Sequence, residues 1–169
     1  KKIVIELNQR VGSILVNKIV FQEGFITESV MGDSLVEKKL GINSKMSILE
    51  IGSGLGGPAR YIANKTGARI TAIELQKDHN QIAKYITKKC GLSDNVKHIC
   101  KDIVKFDSKK NKYDLLVSWL SLFHIKDNDL LLKKCNNLLK KNGIFYTEDI
   151  IKKRKLTKEE NSVLASELF

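Results

Sequence analysis

The stretch SILEIGSGLGGP, which runs from Ser47 to Pro58, is the starting point for interpreting the whole chain. Its first five residues are mostly apolar and predict a short strand. Gly52, Gly54 and Gly57 then satisfy the pattern G-x-G-x-x-G, in which glycines permit a tight turn and let a ligand approach the backbone. Pro58 fits the first turn of a helix, where its missing N–H would have no partner in any case. The stretch therefore predicts a strand, a ligand-binding loop and a helix in succession.

Three acids stand at or just after the ends of successive predicted strands. Glu50 precedes the first glycine by two residues. Glu74 follows that glycine by about 20 residues, the distance at which an acid accepts hydrogen bonds from ribose hydroxyls. Asp102 follows the third strand and is suited to accept a hydrogen bond from an adenine amino group. Together they predict a nucleoside site with an acidic character.

Two ligand classes fit a glycine loop with a ribose-binding acid, and Glu50 distinguishes them. A dinucleotide would lay its pyrophosphate against the loop, where a carboxylate repels it. S-adenosylmethionine carries an ammonium that Glu50 would attract, and its carboxylate can use the backbone N–H groups at the start of the helix. We therefore expect S-adenosylmethionine, with an NAD-dependent oxidoreductase as the weaker alternative.

The chain from about Met46 onward alternates strands and helices, which is typical of a parallel α/β sheet. We expect an α/β Rossmann-like three-layer sandwich with strand order 3-2-1-4-5 and one core domain over residues 45–169, preceded by a mostly helical lid over residues 1–44. Leu130, Leu131, Leu138 and Leu139 are expected to face inward from a helix that Asn142-Gly143 closes. The predicted strands are Ser47–Ile51, Arg69–Ile73, Val96–Cys100, Tyr113–Ser118 and Gly143–Glu148; the predicted helices are Pro58–Lys65, Lys77–Lys89, Asp127–Leu139 and Thr157–Phe169.

The amino-acid composition limits the classes of partner that this chain is expected to bind. The net charge is +11, but nearly all the basic residues are Lys scattered along the whole chain, whereas nucleic-acid sites favour concentrated Arg. We therefore expect no nucleic-acid partner. The three cysteines have no C-x-x-C spacing, so we expect no metal and a reducing, cytoplasmic compartment. No apolar run approaches the ~20 residues of a membrane span.

Phe21 to Glu167 resembles the class I S-adenosylmethionine-dependent methyltransferases, and most of all the N-methyltransferases of phosphoethanolamine or of glycine, sarcosine and dimethylglycine. The matching stretches are Phe21–Ile26, Ile48–Arg60, Lys101–Ile103, Tyr113–Asp114 with His124, Leu139–Asp149 and Lys155–Glu160. The resemblance implies a methyltransferase that acts on a small-molecule acceptor, and the acceptor we expect is an amine.

The resemblance also implies roles for individual residues. His124 would be the catalytic residue near the methyl acceptor, and Glu74 would hold the ribose. Trp119 would line the pocket or stack on a cationic group. The other positions implied to contact the cofactor are Ile26 and Thr27 in the lid, Glu50, Gly52, Ser53, Gly54 and Gly56 around the methionine part, and Leu75, Asp102 and Ile103 around the adenine.

Two departures from the family pattern bear on activity. Trp119-Leu120 stands where the resembled enzymes carry an acid that holds the acceptor ammonium, so a cofactor-binding module without catalysis is the alternative function. The chain also ends within a predicted helix, before the last two strands of the class I fold. We therefore expect a truncated domain whose fifth strand is an open edge, which invites self-association.

Overall fold

The computed structural model describes residues 2–5, 40–108, 112–149, 157, 158 and 162, with backbone only for residues 2–5. Within these residues six parallel strands form one sheet, and helices pack on its two faces. The elements are β1 (Lys2–Ile5), β2 (Ser47–Ile51), α1 (Gly57–Thr66), β3 (Arg69–Glu74), α2 (Lys77–Lys89), β4 (Val96–Cys100), β5 (Tyr113–Trp119), α3 (Asn128–Leu138) and β6 (Leu139–Glu148).

The strand order is β1-β6-β5-β2-β3-β4. The five strands predicted from the sequence are β2 to β6, and their order confirms the predicted 3-2-1-4-5 arrangement of a Rossmann-like sheet. From β2 the chain adds β3 and β4 on one side of the sheet, and it then returns to add β5 and β6 on the other side, so that β2 and β5 pair directly. In an open parallel sheet this switch point, at the carboxyl ends of the strands, is where ligands bind.

The core consists of two apolar layers, one on each face of the sheet. The first includes Ile48, Ala59, Ile62 and Val117 beneath α1. The second includes Leu49, Leu116, Leu131 and Phe145 beneath α3. Alternate residues of β2 therefore enter opposite layers, as the period of two in a strand requires. Both layers hold the carboxyl ends of β2 and β5 rigidly in register.

The edge of β6 differs from the expectation. The sequence predicts a helical start to the chain and an open fifth strand, but β1 pairs in parallel with β6, with Lys2 opposite Ile144 and Ile5 opposite Thr147. Three consecutive β-branched residues, Ile3 to Ile5, favour a strand, and the backbone groups of β6 offer it a ladder. The prediction of an open edge at β6 is therefore wrong for this structure, and self-association loses the argument that was based on it but stays untested.

The boundary between α3 and β6 is also displaced. α3 ends at Leu138 and β6 begins at Leu139, so Asn142-Gly143 lies inside the strand and closes no helix. Asn142 has a φ of 66°, and the pairing of β5 with β6 shifts register between Tyr113 and Leu115. The asparagine and glycine therefore mark an irregularity in the ladder.

Several expectations fall outside the described residues. These are the helical lid over most of residues 1–44 with its candidate contacts Ile26 and Thr27, and the helix from Thr157 to Phe169 apart from three of its positions.

Candidate functional site

The glycine loop between β2 and α1 is built on left-handed backbone. Gly52, Gly54 and Gly56 have φ values of 68°, 52° and 78°, which side chains other than glycine rarely adopt. Ser53 N donates to Ile73 O (3.0 Å), and Gly56 N donates to Ser53 O (2.8 Å). The loop is therefore tied to β3 and turned tightly into the first turn of α1.

The three glycines have different surroundings. A Cβ at Gly52 would lie 2.4 Å from Ser121 Cβ and Oγ, and one at Gly56 would lie 2.5 Å from His98 Cε1. A Cβ at Gly54 would meet nothing within 4 Å. Gly52 and Gly56 thus let neighbouring elements approach the loop, whereas Gly54 faces open space where a ligand can reach the backbone.

Glu50 is a buried acid at the end of β2. Its exposed fraction is 1%, and its Oε2 has no hydrogen-bond partner among the described residues. Burial raises the pKa of Glu50 to about 8; the charge of Arg60 opposes this effect and that of Glu74 adds to it. A buried carboxyl without a partner is costly, so this position is suited to a cationic ligand group.

Arg60 and His98 lie against the loop at Gly56. Arg60 Nη1 donates to Leu55 O at 2.7 Å. His98, on β4, is 2.8 Å from Thr87 Oγ1 on α2 through Nε2. Burial lowers the pKa of His98 to about 4, with smaller contributions from Arg60 and Lys84, so the imidazole is neutral at pH 7. Neither residue was a candidate from the sequence.

Glu74 ends β3 and holds the loop from the other side. Its Oε2 accepts from Gly54 N (2.7 Å) and its Oε1 accepts from Gln76 N (2.8 Å). A carboxylate oxygen has capacity for a second hydrogen bond, so this arrangement is compatible with a ribose as well. The next residue, Leu75, is 68% exposed and offers an apolar surface beside Glu74.

Asp102 caps a short 3₁₀ turn after β4. Its Oδ1 accepts from Val104 N at 2.9 Å, and Ile103 is buried within the turn. Capping engages one carboxylate oxygen and orients the other. The structure brings Glu50, Ser53, Glu74 and Asp102 to the same edge of the sheet as the glycines, the carboxyl ends of β2 to β4.

The ends of β5 and β6 form the other half of this edge. Trp119 lies opposite Glu148 in the ladder, and its ring stacks at a tilt on Tyr146 with centroids 5.5 Å apart. Tyr146 Oη donates to Glu148 Oε1. The indole Nε1 of Trp119 is buried and has no hydrogen-bond partner among the described residues. The sequence singled out Trp119 but neither Tyr146 nor Glu148, because the register that joins them is non-local.

The turn after β5 carries the candidate catalytic residue. Leu120 has a φ of 49°, and its N–H donates to Glu148 O at 2.8 Å. His124 follows on the exposed side of a 3₁₀ turn, with its ring 3.9 Å from that of Phe123. His124 therefore lies on the β5 side of the site, and a catalytic role for it stays a prediction.

A family model described as a methyltransferase domain matches residues 42–167, which is more than half of the chain. The chain belongs to the methyltransferase domain family. The match confirms the resemblance to the class I S-adenosylmethionine-dependent methyltransferases, and it supports S-adenosylmethionine as the cofactor.

Individual relatives agree with the family but differ in what they methylate. Sterol 24-C-methyltransferase of Saccharomyces cerevisiae is 31% identical over 125 residues, 73% of this chain and 32% of that protein. Glycine/sarcosine/dimethylglycine N-methyltransferase of Actinopolyspora halophila is 28% identical over 128 residues, 75% of this chain and 23% of that protein. The chain spans about a third of the length of the sterol methyltransferases it matches.

A solved structure agrees on the fold. Phosphoethanolamine N-methyltransferase 2 of Haemonchus contortus, in complex with phosphomonomethylethanolamine and S-adenosylhomocysteine, has a TM-score of 0.70 at 21% identity. The similarity covers 83% of this chain and 36% of that one.

Other features of the described residues lie apart from this site. A cavity of about 630 Å³ lies at the amino ends of the strands, lined among others by Arg69, Lys97 and Lys112, at the opposite edge from the glycine loop. Among the described residues, no group of acids, histidines and cysteines is arranged to hold a metal ion, and no helix has the length and apolarity that crossing a membrane requires.

Proposed function

We propose that this chain binds S-adenosylmethionine at the glycine loop and transfers the methyl group to a small-molecule amine. The observation that carries the proposal is Glu50: its carboxyl is almost completely buried and its Oε2 has no hydrogen-bond partner among the described residues, next to a loop whose Gly54 faces open space. A cationic ligand with an amino-acid part satisfies both features, because its ammonium pairs with Glu50 while its carboxylate meets backbone N–H groups. The pyrophosphate of a dinucleotide could meet the same N–H groups, but an ionised Glu50 would repel it.

The cofactor, when bound, supplies a methyl group on a sulfonium: the acceptor nitrogen forms the new N–C bond, the S–C pair returns to sulfur, and one proton leaves the nitrogen. The protein's part is to orient the reactants and exclude water. Glu74 and Asp102 are proposed to hold the ribose and the adenine. His124 would accept the proton of an acceptor that arrives as an ammonium.

The acceptor side supports an amine through a residue other than Leu120. Glu148, half-buried at the end of β6, adds a carboxylate in hydrogen-bond contact with Tyr146. Trp119 and Tyr146 themselves are buried, with exposed fractions of 7% and 3%, and belong to the apolar layer beneath α1. Glu148 supplies the negative charge that Leu120 does not, and a carboxylate attracts an acceptor ammonium.

Two measurements test the proposal. Calorimetry with S-adenosylmethionine and with NAD should show binding of the first alone; binding of NAD alone would refute the cofactor assignment. A methyl-transfer assay would then compare phosphoethanolamine, glycine, sarcosine and a sterol with an alkene side chain. Transfer to the sterol but to no amine would refute the amine, and cofactor binding without any transfer would favour the non-catalytic module.

A further inference from the structure

Arg60 is a buried charged residue packed against the glycine loop. It lies on the buried face of α1 with an exposed fraction of 9%. Its Nη1 donates to Leu55 O at 2.7 Å, and a Cβ at Gly56 would come within 3.1 Å of the same nitrogen. The guanidinium therefore contacts the loop directly at Leu55 and Gly56.

The charges around Arg60 explain why a cation is buried there. The charge of Arg60 acts on Glu50 of β2, and that of Glu74 of β3 acts on Glu50 as well. Among the described residues, Arg60 also acts on His98 of β4, as does Lys84 of α2. Because the imidazole of His98 is neutral at pH 7, Arg60 supplies positive charge beside two buried acids, and the Coulomb attraction favours the ionised form of Glu50.

We infer that Arg60 is a positioning residue of the cofactor site, which fixes the Leu55 carbonyl of the glycine loop and makes it easier for Glu50 to ionise when the cofactor's ammonium binds. This inference rests on the proposed function. Arg60 needs no contact with the ligand for this role. The methionine part of the cofactor is a zwitterion, so the field of Arg60 acts on its two charges with opposite signs, whereas its effect on Glu50 is not cancelled.

The test compares two ligands on two variants. Arg60→Gln removes the charge, and Arg60→Lys keeps it but cannot reproduce the planar donor fork. Each variant and the wild type are titrated by calorimetry with S-adenosylmethionine and with 5′-methylthioadenosine, which has the nucleoside and the sulfur but no amino-acid part. Arg69→Gln, an exposed charge at the opposite edge of the sheet, is the matched control.

For Arg60→Gln at pH 7, we expect S-adenosylmethionine to bind about tenfold more weakly, since loss of ~1.4 kcal/mol is a factor of ten. Methylthioadenosine should bind as it does to the wild type. The pH at which S-adenosylmethionine affinity reaches half its maximum should move upward in Arg60→Gln and stay in place in Arg60→Lys and Arg69→Gln.

Three outcomes would overturn the inference. An equal loss for both ligands would mean that Arg60 only maintains the fold of the loop, and an unchanged affinity for S-adenosylmethionine would mean that it does not act on Glu50. A wild type that binds no S-adenosylmethionine would overturn the proposed function as well. If Arg60→Gln fails to fold, Arg60→Lys decides: we expect a few-fold loss confined to S-adenosylmethionine, and an equal loss for both ligands contradicts us.

Discussion

At the scale of single residues, the protonation of Glu50 controls how the site can work. Because burial raises the pKa of Glu50 to about 8, a large fraction of the free protein carries a neutral carboxyl at pH 7. A ligand ammonium favours the ionised form, so binding must release a proton below pH 8. Affinity for S-adenosylmethionine should therefore rise from pH 6 to pH 8, and fall at higher pH as the ligand's amino group, with an ordinary pKa near 8, loses its charge.

Glu50→Gln tests this assignment. The variant loses a charge-assisted hydrogen bond of about 1.5–3 kcal/mol, so S-adenosylmethionine should bind about 10- to 150-fold more weakly at pH 8, with a smaller loss at pH 6. Calorimetry in two buffers of different ionisation enthalpy would count the released protons. A wild type that releases no proton, together with an unchanged affinity in the variant, would remove Glu50 from the site.

Gly52 and Ser121 offer a second test, of packing rather than charge. Gly52→Ala would place its Cβ 2.4 Å from Ser121 Cβ and Oγ, whereas Ser121→Gly removes both atoms. We expect Gly52→Ala to reduce the free energy of unfolding by well over the ~1–2 kcal/mol of left-handed strain, and by only about that strain in the Ser121→Gly background. Denaturant unfolding of the four proteins measures the coupling. Equal losses in both backgrounds would contradict the contact.

The sequence predicts some of these residues and misses others for a physical reason. Glu50 and Gly54 follow from the local order of strand, loop and helix. His98 on β4 and Ser121 in the turn after β5 approach the loop from far along the chain, so no local spacing in the sequence predicts them. Arg60 had a local signal: it lies four residues after Gly56, one helical turn, and its N–H donates to Gly56 O. From the sequence alone, an arginine at that position of α1 is expected to be exposed to solvent, and only the folded structure shows that it is buried.

At the scale of elements, the predictions from the sequence are wrong mainly about where helices and strands end and about which face of a helix is buried. Leu131, Cys135 and Leu138 face the core from α3, a spacing of four and three residues that matches the helical period. Leu130 was expected to face inward but is 46% exposed, because a shift of one residue rotates a side chain by about 100°. In a run of consecutive leucines, the sequence does not show which side chain is buried, because that depends on the elements packed against the helix.

The start of α3 depends on Asp127, whose Oδ1 accepts from Leu130 N at 2.8 Å. Asp127→Ala leaves that N–H without its side-chain acceptor, and we expect a loss of about 1 kcal/mol in the free energy of unfolding. Asp129→Ala is the matched control, since it removes an acid from the same first turn but no cap. Chemical denaturation of both variants measures the difference. Equal losses would show that helix charge, and not the cap, is what Asp127 provides.

At the scale of the whole molecule, the predicted sheet order is confirmed because parallel strands joined through helices allow few topologies. The strand β1 could not be predicted from local pattern alone, since a four-residue segment gains its stability only from the β6 edge that it joins. The same non-local pairing brings Trp119 and Glu148 together. The half of the site on β2 to β4 is therefore predictable from the sequence, and the half on β5 and β6, which we propose to face the acceptor, is not.

Two buried groups make the stability of the molecule depend on pH in opposite directions. Glu50 has a folded pKa of about 8 against an ordinary 4.5, so the folded state binds the extra proton and stability is lost as pH rises between these values. His98 has a folded pKa of about 4 against an ordinary 6.5, so stability is lost as pH falls between those values. Above pH 6.5, therefore, Glu50 still makes stability depend on pH, whereas His98 no longer does.

Between pH 6.5 and 8, the melting temperature of the wild type should therefore fall relative to that of Glu50→Gln. The slope is at most ~1.4 kcal/mol per pH unit, or about 3 °C per unit for a domain of this size. Asp94→Asn, an exposed acid before β4, should follow the wild type. Because S-adenosylmethionine pairs the ionised carboxylate with an ammonium, a saturating concentration should flatten the wild-type profile and leave that of Glu50→Gln unchanged. Parallel profiles of melting temperature against pH for the wild type and Glu50→Gln, with and without ligand, would contradict this expectation. In that case Glu50 would not be the acid that couples cofactor binding to stability.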